Sequence, residues 1–291
     1  MYDLLIDLTI QNFSNPGESE EGFMKRMSLA DPKLKSNYTR SNVSCEPYSE
    51  GSSRAAYLLR YLGHYTLQLG GLLKALEGNQ AVVDVITLPE LNVACLCGGP
   101  CPEAIAISLL HSQAKGRRLR ALCLDKQAKF WEDCWHISEK IATHYGSHPH
   151  VSIKGEGTDM LSYEQKEKER NFLKRANILT LMNCLNELIV NGKETGRLES
   201  LYNRLKQLQP GALILLSDQS EYTGNQDSLR DFCNFLVQDL GAEIVVCDEK
   251  IHWQNRFNSN QPPSRISSIY GHDNNYFRIH QRNLQLAAIV K

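Results

Sequence analysis

The sequence predicts an α/β protein, with a seven-stranded, mostly parallel sheet, helices on both faces and a helical N-terminal extension. Three observations predict it. From residue 80 onward, short apolar runs alternate with longer amphipathic stretches, the pattern of strand–helix units in a parallel sheet. The apolar runs are near-continuous, as strands buried on both faces are. One of them, Asn92 to Cys97, breaks into Gly98-Gly99-Pro100-Cys101-Pro102, a tight strand-to-helix turn. At 291 residues, 42% of them hydrophobic, the chain is long enough for a sizeable core.

The elements follow in order. Residues 2–13 (YDLLIDLTIQNF) are apolar enough to pack as a short helix or strand. Residues 14–53 are rich in Ser, Asn, Gly, Pro and charge, with breaks at Asn15-Pro16-Gly17, Pro32 and Pro47. One short helix is expected there, Glu20 to Leu29. Across 52–77, Leu58, Leu62, Leu69, Leu72 and Leu76 recur at helical spacing, with Ser52 and Ser53 as N-caps. Gly70-Gly71 weakens that stretch, so two helices or a kink are expected. These residues, 1–79, form an extension or lid, and 80–291 the main domain.

In the main domain, 92–97 is the first strand and 102–114 its helix. Leu119 to Leu124 is the second strand, followed by a helix over 127–144 that packs Trp131, Trp135, Ile137 and Ile141. Val151 to Lys154 is the third strand and Asn177 to Asn183 the fourth. A helix over 194–208 leads past Pro210-Gly211 to the fifth strand, Ala212 to Ser217. A helix over 226–240 precedes the sixth, Ala242 to Asp248, and Leu284 to Val290 is the seventh. Between the last two lies a long polar connection, 249–283, of a length that is often functional.

The turn is the chemical centre. Pro102 suits a first helical turn, Glu103 suits the positive end of a helix dipole, and the glycines let backbone approach a ligand. The second strand ends in Asp125, at the position from which a carboxylate accepts hydrogen bonds from ribose hydroxyls. The turn is neither G-x-G-x-x-G nor a Walker loop. The run VACLCGGPCPEAIAI, with Asp125 after the next strand, resembles the first motifs of the class I S-adenosylmethionine-dependent methyltransferases over residues 80–291. Cys97 and Cys101 stand where that family often has glycine or another small residue, which crowds the methionine end of the cofactor.

The resemblance implies a Rossmann-like methyltransferase sheet whose last strand runs antiparallel beside the sixth, and S-adenosylmethionine as cofactor. It implies that Cys97, Gly98, Gly99 and Pro100 approach the methionine moiety, while Asp125 and Lys126 lie at the ribose. Thr158, Asp159 and Met160, in GEGTDML, would meet the adenine. Asn183, after the fourth strand, would face the transferred methyl group. Asn186-Glu187-Leu188 resembles a subset, the methyltransferase-like proteins of the mitochondrial small ribosomal subunit. Glu187, His64 and His272 are the candidate bases. The bland alternatives are a plain turn at Gly98, a capping role for Asn183 and helix packing for the aromatics around His64.

Composition narrows the classes. A net charge of −1 argues against a dedicated nucleic-acid binder, although Arg256 to Arg282 mixes basic and aromatic residues that would suit RNA or a peptide. No apolar run reaches membrane-spanning length and no secretory signal is visible, so a cytoplasmic protein with reduced thiols and no membrane partner is expected. Cys95, Cys97 and Cys101 lack a second ligand pair at finger spacing, and no metal is expected. The acceptor is a small molecule, peptide or protein side chain. The rival readings are a catalytically inactive methyltransferase-like binding or assembly protein, an RNA-associated one, and an NAD-dependent enzyme.

Overall fold

The computed structural model describes residues 1–38, 46–110, 117–146, 150–219, 225–252, 265 and 282–291. Among the described residues, seven strands form one sheet: β1 (Glu90–Leu96), β2 (Arg118–Asp125), β3 (His150–Gly157), β4 (Ile178–Met182), β5 (Leu213–Gln219), β6 (Glu243–His252) and β7 (Arg282–Ile289). Their order is β3-β2-β1-β4-β5-β7-β6. The first five pair in parallel, and β7 runs antiparallel between β5 and β6. The resemblance implied this placement of the last strand.

Alternation along the strands divides the core in two. Val93, Cys95, Ala121 and Cys123 belong to a buried cluster on one face. Ala94, Leu96, Leu122 and Leu124 belong to a second cluster on the other. Successive side chains on a strand point to opposite faces, so a continuous apolar run fills both. On the first face lie α1 (Tyr2–Phe13), α2 (Glu20–Tyr38), α4 (Gly51–Tyr57), α5 (Gly63–Ala75), α6 (Gln80–Ile86), α7 (Pro102–Leu110) and α8 (Glu132–Tyr145). On the second lie α9 (Glu167–Leu173), α10 (Leu185–Thr195), α11 (Leu198–Leu205) and α12 (Asn225–Gln238). The short α3 (Glu46–Ser49) precedes α4. The helices before β1 therefore share one apolar cluster with the sheet.

Several local expectations change. Pro32 sits inside α2 and does not end it. Its ring removes one backbone donor and crowds the carbonyl four residues back, a cost of about 3 kcal/mol that the buried Phe23, Met24 and Met27 of the same helix help to offset. Ser52 and Ser53 do not cap: α4 starts after Glu50, without a side-chain cap, and the buried Ser53 hydroxyl has no hydrogen-bond partner. Gly70-Gly71 lies within an unbroken α5; the irregularity is a π-helical turn over Leu58–Leu62, one element earlier. Asn79 caps α6, its side chain accepting the Val82 N–H at 3.1 Å. The third strand runs on to Gly157, and 185–205 holds two helices, broken at Gly196 (φ 65°), where one helix was expected over 194–208. The stretch around α9 carried too little apolar periodicity to mark a helix. His272 and nearly all of Arg256 to Arg282 lie outside the described residues.

Candidate functional site

β1 pairs with β2 on one side and with β4 on the other, so the crevice between their carboxyl ends is the switch point of the sheet. The segments that leave these strands carry unusual backbone. Among the described residues, Cys97, Cys101 and Asn183 are the non-glycine residues at positive φ, at 53°, 63° and 53°. A side chain in that region costs about 1 kcal/mol or more and persists where the surroundings over-determine it, which happens most at functional sites. Gly99, at φ 46°, completes the turn.

Asp125 ties the turn to the end of β2. Its Oδ2 accepts the Gly99 N–H at 3.1 Å and its Oδ1 the Gln127 N–H at 2.7 Å. Burial raises the Asp125 pKa, and these two donors oppose that shift. A carboxylate has about four acceptor positions, so each oxygen keeps capacity for a further donor. The far side of the turn is pinned to α8. Trp135 Nε1 donates to the Gly99 carbonyl at 2.7 Å, and Ser138 Oγ to that of Pro100 at 2.6 Å. Trp131, buried between Tyr48 and Tyr57, lies where a Cβ on Gly99 would sit 3.8 Å away.

The loop after β3 is held from below. The Thr158 N–H donates to the Asp125 carbonyl at 3.2 Å, and Lys126 and Asp159 pair across the surface at 3.5 Å. Asp159 Oδ1 also accepts the Leu161 N–H at 3.0 Å. Underneath, Arg204 and Glu169 form an ion pair at 2.7 Å, their side chains 3% and 0% exposed. The Arg204 guanidinium further donates to the carbonyls of Met160, Ser162 and Glu164. Met160 itself is buried in the second cluster.

On the β4 side, a helix from the N-terminal segment reaches the crevice. Gln68 of α5 donates to Ser217 Oγ at 2.7 Å and accepts from Asn183 Nδ2 at 3.2 Å. Asp218, at the end of β5, accepts the Leu185 N–H at 3.0 Å and caps α10. Glu187 is exposed in the first turn of α10; partial desolvation and then Asp218 hold its pKa above the usual carboxylate value. His64 lies one turn before Gln68 in α5, with its ring 5.6 Å from Tyr65.

The expected residues Cys97, Gly98, Gly99, Pro100, Asp125, Lys126, Thr158, Asp159 and Asn183 thus gather around the ends of β1 to β4. The sequence reading missed Gln68, Ser217 and Asp218. Their signal was weak: Gln68 is a polar residue on an otherwise leucine-rich helix, and Ser217-Asp218 ends an apolar strand.

The strand order, with β7 antiparallel between β5 and β6, decides the fold. It is the placement of the last strand that the resemblance to the class I methyltransferases implied. Solved structures of that fold are similar to the chain at low identity. A magnesium protoporphyrin IX methyltransferase from Synechocystis PCC 6803, with bound SAH, matches at 10% identity over 90% of this chain and 95% of its own, with a TM-score of 0.39. A S-adenosylmethionine-dependent methyltransferase from Clostridium acetobutylicum matches at 8% identity over 78% and 92%, with a TM-score of 0.37. An arsenic(III) S-adenosylmethionine methyltransferase from Chlamydomonas reinhardtii matches at 12% identity over 69% and 64%, with a TM-score of 0.38. No family model and no curated protein matches the sequence. Likenesses this distant leave the chemistry of the site to the chain's own residues.

Proposed function

We propose that the protein binds S-adenosylmethionine in the crevice above β1 to β4 and transfers its methyl group to a small molecule, peptide or protein side chain. One observation carries the reading: Asp125 closes the β1 turn through the Gly99 N–H and still has acceptor capacity, at the switch point of a methyltransferase sheet. The donor set fits the cofactor. Asp125 would accept from the ribose hydroxyls. Thr158 and Asp159, on the loop braced by Arg204, would meet the adenine. Cys97, Gly98, Gly99 and Pro100 would lie along the methionine moiety. Asn183 would stand at the methyl end.

The cofactor supplies an electrophilic methyl on a sulfonium. The chain's own task is then to hold an acceptor in line with it and to keep water out, an orientation effect. A base is needed only for an acceptor that arrives protonated. Glu187 is the proposed base; its raised pKa calls for a higher pH before it ionises. His64 and the aromatics of α4 and α5 would line the acceptor side, with residues 1–79 as a lid.

A second reading rests on Gln68. Its bonds to Asn183 and Ser217 close the β4–β5 corner, where the acceptor would stand. A protein that binds cofactor but docks a partner in place of turning over would look this way. Calorimetry with S-adenosylhomocysteine is the test. Binding weakened about tenfold or more in Asp125→Ala is expected, the loss of a hydrogen bond to a charged group. Absence of binding to the wild-type protein overturns the cofactor assignment. With binding established, Glu187→Gln separates the readings once an acceptor is found: turnover lost at unchanged cofactor affinity supports the base.

A further inference from the structure

Beneath the Gly98 turn, on the face away from the crevice, lies a polar layer in an otherwise apolar core. Cys123, Cys95 and Thr180 sit side by side in register on β2, β1 and β4. Cys101 comes down onto them from the start of α7. The sulfurs of Cys95, Cys101 and Cys123 all lie within 4.8 Å of one another, and those of Cys95 and Cys101 are 3.7 Å apart. All three thiols are free and fully buried.

That spacing is too long for a disulfide. It matches the edge of a tetrahedron of sulfurs at about 2.3 Å from a central zinc ion, which works out at roughly 3.8 Å. A second observation points the same way. Glu103, two residues after Cys101, is 0% exposed, and neither of its carboxylate oxygens has a hydrogen-bond partner. The Thr180 hydroxyl lies close to both the Glu103 carboxylate and the Cys95 thiol, but makes a well-aligned hydrogen bond to neither. An unpaired buried carboxylate costs several kcal/mol, so native proteins pair such groups or use them to coordinate metal. Space is kept open from above: a Cβ on Gly98 would come 2.7 Å from Cys95 Cβ and 3.3 Å from Cys123 Sγ.

We propose that Cys95, Cys101 and Cys123 bind one zinc ion that fastens the β1 turn to the sheet, and that binding draws in the Glu103 carboxylate, which lies outside the sulfur cluster without the ion, as a fourth donor. Four protein donors make the site closed, hence structural. Thiolate donors suit zinc over magnesium or calcium. The ion would replace thiol protons, which leave to solvent, and no oxidation is involved. The site does not depend on what the crevice binds.

The test is metal analysis of the purified full chain, followed by replacement of zinc with Co2+. About one zinc per chain, retained through dialysis, is expected, with a cobalt spectrum dominated by thiolate charge transfer. Cys101→Ser and Cys123→Ser should lose the charge-transfer band, and Cys97→Ser and Cys233→Ser should keep it. Glu103→Gln should weaken zinc at least tenfold and change the ligand-field bands. Metal-free protein that takes up neither ion, or a band unaffected by the Cys101 and Cys123 changes, overturns the site. If the serine variants fail to fold, the wild-type band decides alone: an intensity matching three thiolates supports the proposal, and one matching none or a single thiolate removes it.

Discussion

Gly155 shows how one missing side chain sets the geometry of the turn. A Cβ there would fall 1.6 Å from Trp135 Cη2, inside the indole ring. That indole cannot retreat freely, because its Nε1 holds the Gly99 carbonyl. Gly155→Ala must therefore push Trp135 off the turn or bend β3. Overpacking of this kind costs about 1–3 kcal/mol, so the melting midpoint should fall by several degrees for a chain of this size. An unchanged midpoint would show that the ring moves without cost. Asp125→Ala acts at the same scale by a different route, leaving the Gly99 and Gln127 N–H groups without their acceptor.

Between β3 and α11, the buried pair of Arg204 and Glu169 organises a whole segment. Arg204 gathers the carbonyls of the loop after β3, which has little apolar material of its own. Removing one member strands the other. Arg204→Met leaves Glu169 charged and buried, and should cost about 3–5 kcal/mol. The double change Arg204→Met with Glu169→Leu should recover most of that loss, because no uncompensated charge remains. Urea midpoints of the two variants and the wild-type protein check this. Equal losses in the single and double variants would mean that the carbonyl contacts of Arg204, and not its charge, hold the loop. Proteolysis within 158–164 should quicken in both variants.

At the scale of the molecule, the sheet separates two apolar clusters, and β7 contributes to both. Ala287 belongs to one, and Leu286 and Ala288 to the other. The strand also fills the gap between β5 and β6, satisfying the backbone of each. A chain ending at residue 281 would expose two strand edges and both clusters. It should lose its cooperative melt and bind a hydrophobic dye, since open apolar edges invite aggregation. A truncated chain that still melts sharply would show that β6 can re-pair with β5 directly.

Pattern along the chain was enough for the class of fold, the strands as elements and the turn with its acidic partner. Continuous apolar runs of strand length, broken by glycine and proline, have few other solutions, and Gly98 to Pro102 with Asp125 are local signals. Helix interruptions were less legible, because Pro32 and Gly70-Gly71 are tolerated once packing holds α2 and α5. Contacts between distant segments could not be read at all. Nothing near Gln68 in sequence announces Asn183 or Ser217, and nothing near Glu169 announces Arg204. Cys123 joins Cys95 only because β1 and β2 pair in register, while Cys97, the neighbour that spacing suggested, leaves the strand at positive φ. Spacing along a chain reports which side chains share a face. Which faces meet is decided by how strands pair and helices pack, and that is a property of the whole fold.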